Sequence, residues 1–295
     1  MKQALICILV VIVLTSCGQS DKQTAKKDTI KKDGASSKTI VNPKENDTLA
    51  IPDDTIPKIT IPEGSIQVAE EHVDTSSKMR ILSCADYNEQ DGVGPGASKL
   101  NWKGLFYKKY DKNRFYIKST KLKFTRVHSE MDEEENQKTG WRIKCDNNDN
   151  NIILITGAND IVDRPVKKAL LSTDLYYAGQ KMEFIYYGVK YTLYTTGRKT
   201  NGLIYNYKLF LMANVKGHNF NQLLISVPPG DSMGPNGDMA EDIDIEFAGD
   251  LDGDQIPDFI IEKSGYSFGD LNLYLSKAAG DKSILKLVSV FGTSD

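Results

Sequence analysis

"MEFIYYGVKYTLYTTG", residues 182–197, carries two apolar alternations of period two on either side of Gly188. A period of two places Phe184, Tyr186, Tyr191 and Leu193 on one face of a pleated ribbon. Gly188 supplies the tight turn, so those four side chains are expected to pair across a β-hairpin. Outward from this hairpin the pattern repeats. Short β-branched, aromatic and leucine runs such as "RILSC", "RFYIKSTKLKFTRV", "WRIKC", "NIILITG", "YNYKLFLMA", "QLLISV", "IDIEFAG", "DFIIE", "LNLYLS" and "LKLVSVFG" are separated by Gly, Asn and Asp. Only "SEMDEEENQK" (129–138) and "VKKALLST" (166–173) suggest helix, and both are short. The chain therefore reads as all-β, with antiparallel sheets in a single large domain over 78–295 that is sandwich or barrel-like, a small propeller being the alternative.

The 26 aromatic residues all fall between Tyr87 and Phe291, which places the start of the packed core near residue 78. Residues 18–77 hold eight lysines, eleven acids and four prolines, with no aromatic and no arginine. Such a stretch buries too little apolar surface to offset its ordering entropy, so 17–77 is expected to be a disordered tether. A flexible chain of about 60 residues has a reach of roughly 40 to 45 Å.

At the other end, "MKQALICILVVIVLTSC" has one basic residue, Lys2, and an apolar run from Ala4 to Leu14. That run suits a signal peptide and is short for a bilayer span. Leu14-Thr15-Ser16-Cys17 resembles the lipobox of bacterial lipoproteins. The resemblance implies a signal peptide over 1–16, cleavage before Cys17, and fatty acylation of its thiol and new amine. Stable anchoring needs two lipid signals, so a protein processed this way would stay on a membrane, outside the cytoplasm, without spanning it. Cys7 would leave with the signal, and Cys84 and Cys145 would remain either as a disulfide or as two buried thiols. The formal charge of -3, with no basic stripe, argues against a nucleic-acid partner.

"GDLDGDQIPDF", residues 249–259, crowds four carboxylates into one turn. Asp250, Asp252, Asp254 and Asp258 occupy positions 1, 3, 5 and 9 of a loop in which Gly253 permits tight curvature. Mutual repulsion among four anions is removed by a hard dication, and calcium accepts six to eight oxygens; the carbonyl of Ile256 at position 7 can add one. The loop is not an EF-hand, because Gln255 stands at position 6 and Ile261 at position 12. It resembles the calcium loop of FG-GAP and VCBS-type repeats, D-x-D-G-D-x-x-x-D between two strands, over about 247–276. That resemblance implies calcium as the cofactor, with Asp250, Asp252, Asp254 and Asp258 as ligands together with the Ile256 carbonyl. The repeats usually occur in several copies, whereas one is present here, and the chain resembles bacterial lipoproteins that carry a single such loop. A structural ion clamping two strands, held at roughly 0.1 to 1 mM, is the expected role.

Other motifs carry less chemistry. "GDSMG" (230–234) has the G-x-S-x-G spacing, but "SVPP" before it and "PNGD" after it are not the strand and helix of a nucleophile elbow, and no histidine follows His218. Asp242, Asp244 and Glu246 alternate along one strand at about 6.6 Å, a spacing that a glycoside-cleaving pair can use but that reads first as a wet strand face with Ile243, Ile245 and Phe247 inward. "DNNDNN" (146–151) reads as a turn, and the three histidines lack zinc spacing. The expected function is a non-catalytic, membrane-anchored lipoprotein whose calcium-stabilised β domain binds a protein or glycan in the cell envelope. The alternative is an envelope hydrolase acting on glycans through the carboxylates at 242–246.

Overall fold

The stretch 182–197 folds as the alternation dictates. In the computed structural model Tyr187 and Gly188 form a two-residue turn with φ of 45° and 80°, the left-handed values that match the strand twist. Phe184 lies opposite Tyr191 and stacks on it at 5.2 Å, while Tyr186 meets Val189 and Leu193 meets Met182. Such an aromatic pair adds about 0.5–1.5 kcal/mol beyond its area burial. The structure describes residues 59–294 except 74–76, 130, 135, 173–177, 201–202, 229–230, 234–241 and 266–267. The signal sequence, Cys17 and the tether up to residue 58 lie outside the described residues.

The described residues belong to one compact unit and contain eighteen strands in four sheets. The first strands are β1 (Ile66–Val68), β2 (Arg80–Leu82) and β3 (Asp86–Tyr87). They are followed by β4 (Trp102–Lys108), β5 (Asp111–Thr120), β6 (Leu122–Val127), β7 (Gly140–Cys145), β8 (Asn150–Thr156) and β9 (Arg164–Val166). Next come β10 (Lys181–Tyr186), β11 (Val189–Thr200), β12 (Leu203–Val215), β13 (His218–Ser226) and β14 (Ser232–Met233). The last four are β15 (Asp242–Gly249), β16 (Asp258–Ser264), β17 (Phe268–Leu275) and β18 (Lys286–Ser294).

A six-stranded sheet runs β1-β13-β12-β11-β10, with β14 also on β12. A four-stranded meander runs β15-β16-β17-β18, a five-stranded sheet β2-β8-β4-β5-β9, and a three-stranded sheet β3-β7-β6. None closes into a barrel, and six, four, five and three strands are not the equal blades of a propeller. Every pairing is antiparallel except β1 with β13.

Three apolar clusters set the order of the layers. Tyr191, Leu209 and Phe220 of the six-stranded sheet pack with Phe259, Ile261 and Tyr274 of the meander. Ile260, Leu273 and Val288, on the meander's other face, pack with Leu105, Ile117 and Ile153 of the five-stranded sheet. Trp102 and Leu154 of that sheet then meet Tyr87, Leu122 and Ile143 of the smallest one. The meander is thus buried on both faces, which explains why "DFIIE" and "LNLYL" read as nearly continuous apolar runs.

Three expectations need correction. Ile243, Ile245 and Phe247 do not share a face. A bulge between Ile245 and Phe247 leaves Glu246 extra, so Ile243 faces the first cluster and Phe247 the second, where its ring lies 5.4 Å from that of Phe115. "VKKALLST" forms no helix over its described residues: Val166 ends β9, Lys168 bridges Gly249, and the Ala169 N–H donates to the Ala248 carbonyl at 2.7 Å. That backbone is spent on β15, and three short 3₁₀ turns are the helical elements among the described residues.

The domain also begins before residue 78. β1 pairs with β13 through Ile66–Phe220, Gln67–Asn221 and Val68–Gln222. Glu70 then accepts from the Ser226 N–H at 2.9 Å and Glu71 from the Leu287 N–H at 3.3 Å. Ser77 donates to the Val288 carbonyl at 3.2 Å, and β2 follows on the five-stranded sheet. This strap is held by backbone pairing and two carboxylates, so a lack of aromatic residues does not mark it.

Candidate metal centre

The aspartate loop joins β15 to β16 at one end of the central meander. Its turn is built from the aspartates themselves. Asp250 Oδ1 accepts from the Gly253 N–H at 2.6 Å and Oδ2 from the Gln255 N–H at 3.3 Å, while Asp254 Oδ1 accepts from the Ile256 N–H at 2.8 Å. Gly253 and Gln255 take φ of 92° and 70°, and the curl this produces turns Asp250, Asp252 and Asp254 to one centre. One oxygen from each lies within 4.8 Å of the others. Oxygens bound to one calcium at 2.3 to 2.6 Å can stand no farther apart than about 5 Å, so the three fit a single ion.

Asp258 takes a different position. Its Oδ2 accepts from the N–H groups of Leu251 at 2.5 Å and Asp252 at 3.2 Å, and its Oδ1 from the N–H and hydroxyl of Ser276 at 2.7 and 2.8 Å. The side chain is fully buried and acts as the post around which the loop closes. Burial, followed by the charge of Asp252, pushes its carboxyl well above the usual carboxylate range. Ile256 packs its side chain against the first apolar cluster, and its described hydrogen bond is the N–H to Asp254.

Asp252 is the residue that asks for a partner. It is 5 % exposed; its Oδ2 accepts from the Lys277 N–H at 3.0 Å, and its Oδ1 has no partner among the described residues. Burial raises its pKa, opposed by the Lys277 N–H and reinforced by the charges of Asp254 and Asp250. An unpaired buried carboxylate oxygen costs about 1–3 kcal/mol or more, and a cation at the centre removes that cost.

Residues distant in sequence surround this loop. Arg164, on β9, donates from Nη2 to the Asp250 carbonyl at 2.9 Å and to its Oδ1 at 3.1 Å. Tyr186, on β10, accepts from the Asp250 N–H at 2.8 Å and donates to the Lys167 carbonyl at 2.6 Å. The Ser276 hydroxyl reaches Asp254 Oδ1 at 2.9 Å. Lys216, in the turn between β12 and β13, donates to the carbonyls of Ser276, Gly280 and Ser283 at 3.0, 2.6 and 3.3 Å. Burial lowers its pKa, while Asp254 and other nearby acids pull it back up. The Tyr191 hydroxyl is buried without a hydrogen-bond partner among the described residues, and its pKa is raised by burial and by Asp254. In sequence only the turn "VKGH" around Lys216 hints at any of this; Arg164 and Ser276 carry no local signature.

The carboxylates at 242–246 are arranged otherwise. Asp244 lies opposite Glu262 on β16, and Glu246 is the extra residue at the bulge. Glu262 is raised by partial burial and by Asp244, and Glu246 by partial burial, then Glu262 and Asp244. Asp242 is raised by partial burial and by Asp244. The acidic pair across the strands therefore includes Glu262, which the alternation within one strand does not reveal.

Cys84 and Cys145 are joined as a disulfide with Cα atoms 6.6 Å apart, tying the β2–β3 connection to the end of β7. Among the described residues no helix is long and apolar enough to cross a membrane. Comparison with protein-family models, with curated proteins and with solved structures gives no match to this chain.

Proposed function

We propose that the chain is a non-catalytic lipoprotein of a bacterial envelope, anchored through acylated Cys17, whose β domain is stabilised by calcium and binds a protein or glycan ligand outside the cytoplasm. The observation that carries the metal reading is the buried, unpartnered Oδ1 of Asp252 beside the carboxylates of Asp250 and Asp254. Asp250, Asp252 and Asp254 would hold the ion. By its resemblance to the FG-GAP and VCBS loop, the Ile256 carbonyl and Asp258 join them, Asp258 also fixing the loop backbone. Calcium supplies charge neutralisation there. Because Arg164 and Tyr186 bring the two sheets that flank the meander to Asp250, the ion acts as a rivet for three layers.

Calorimetric titration of the chain with calcium, with thermal melts in calcium and in chelator, tests this. Saturable binding and a higher melting temperature, both lost in Asp254→Ala, are expected. No binding up to several millimolar, beyond the weakest extracellular calcium modules at about 1 mM, overturns the metal reading. Lipid labelling that persists in Cys17→Ser overturns the anchor.

The envelope-hydrolase reading rests on the facing carboxylates of Asp244 and Glu262. It requires turnover of a glycan that Asp244→Asn and Glu246→Gln each abolish.

A further inference from the structure

We propose that the surface formed by the β4–β5 turn, the segment 167–172 and the β10–β11 turn docks on an anionic lipid bilayer. This goes beyond the Cys17 anchor, because it gives the folded domain a lipid contact of its own. Pairing of β4 with β5 is regular as far as Tyr107–Phe115 and then jumps to Lys108–Asp111. Lys112, Asn113 and Arg114 are left without a partner on β4, and the turn closes through Lys109 and Tyr110. All of these side chains are exposed, Tyr110 at 94 %, with Lys109 Nζ 5.9 Å from the Tyr110 ring centre.

β9 brings further cations to the same end. It runs antiparallel to β5 with Phe115 opposite Val166, so Lys167 and Lys168 continue toward the end of β5 that carries Arg114 and Lys112. Lys168 Nζ lies 5.3 Å from the centre of the Phe115 ring, and Lys167 Nζ 4.6 Å from that of Tyr187 in the β10–β11 turn. Turns of two different sheets thereby share one surface. Among the described residues, Lys109, Lys112, Arg114, Lys167 and Lys168 have no carboxylate at ion-pairing distance. The acids nearby are largely matched already. Asp149 pairs with Lys108 at 3.0 Å, and Glu183 pairs with Lys181 and Lys190 at 2.7 and 2.6 Å. Asp111 accepts from the Asn113 N–H at 3.2 Å, and Glu246 lies in the field of Lys168. The surplus is positive, which suits a layer of anionic headgroups.

Apolar side chains on this surface decide between a bilayer and a soluble polyanion. The chain after Lys168 runs beside β10, held by the Tyr186 hydroxyl on the Lys167 carbonyl at 2.6 Å and by the Ser172 N–H on Met182 Sδ at 3.1 Å. Along that stretch Leu170 is 86 % exposed, and Ile185 on the edge strand β10 is 74 % exposed. Aliphatic side chains gain nothing from the phosphates of a nucleic acid or the sulfates of a polysaccharide. They do gain from the boundary between headgroups and acyl chains, where tyrosines such as Tyr110 and Tyr187 are also favoured.

The test uses residues 17–295 carrying Cys17→Ser, which retain the whole compact unit from Ala50 and lack both signal and acyl chains. Sedimentation is measured with vesicles of phosphatidylcholine alone and of phosphatidylcholine and phosphatidylglycerol in equal parts. Binding to the mixed vesicles is expected, with affinity falling about tenfold or more in Lys112→Gln/Arg114→Gln and in Lys167→Gln/Lys168→Gln. Leu170→Ser/Ile185→Ser should also weaken it severalfold, and melting temperatures should stay near the parent because every substituted side chain is exposed. Equal binding to both kinds of vesicle overturns the proposal, as does binding that survives both pairs of cation substitutions. Binding that needs the cations but ignores Leu170 and Ile185 overturns it too, marking a surface for polyanions in general. Lipid labelling at Cys17 without surface-dependent vesicle binding would overturn this proposal alone. Surface-dependent binding in a chain that is never labelled would overturn the anchor alone.

Discussion

Arg164 meets Asp250 twice through one nitrogen, at the carbonyl oxygen and at carboxylate Oδ1, and so joins an edge strand of the five-stranded sheet to the loop leaving the central meander. Asp250 is 4 % exposed, and Arg164 is the cation nearest its carboxylate. Arg164→Met leaves that carboxylate short of a partner. The variant should lose about 1–3 kcal/mol in urea melts with chelator and distinctly less in saturating calcium. Equal losses in both conditions would show that the guanidinium and an ion do not share Asp250.

Asp252→Asn separates the two costs at the centre. The amide removes a buried negative charge whose Oδ1 is unpaired, so in chelator the variant should melt at or above the parent temperature. Its calcium affinity should fall about tenfold or more by calorimetry. An affinity like that of the parent removes Asp252 from the ligand set.

Asp149 gives the acid limb of stability a named contributor. Hydrogen bonds from Tyr116, Lys108 and the Lys109 N–H hold its carboxyl at about 2. The ordinary aspartate value is about 3.9, so the stabilisation is complete above that pH and is lost as pH falls toward 2. Asp149→Asn should flatten the stability profile between about pH 4 and 2 and leave its slope near neutrality unchanged, as read by urea melts across that range.

The disulfide closes a loop with a sequence separation of 61. The chain-entropy relation gives a stabilisation of about 4 kcal/mol for a loop of that length. Cys84→Ala/Cys145→Ala should lower stability by about that amount, and mass spectrometry of the unreduced parent should find neither thiol free.

Features written in neighbouring residues were legible before any coordinates. The 182–197 hairpin needed only its alternation and Gly188, and the aspartate loop holds its carboxylates within nine consecutive positions. Features written across the chain were not. Arg164 lies 86 residues from Asp250, and Glu262 faces Asp244 only because the β15–β16 register puts it there. The bulge at Glu246 inserts one residue into an otherwise regular alternation, and no residue type announces it. Burial on both faces of the meander depends on sheets built from strands far away in sequence, so the strand pattern alone could not assign its two sides.

The strap from β1 to β2 gives the molecule a defined path for mechanical load. Any pull arriving from the residues before Ile66 first reaches three backbone pairs on β13. Beyond those pairs, Glu70 and Glu71 pass the force to Ser226 at the end of β13 and to Leu287 on β18. Ser77 adds a hold on β18, and β2 carries the remainder into the five-stranded sheet. Tension is thereby divided among β13, β18 and β2, which belong to three different sheets.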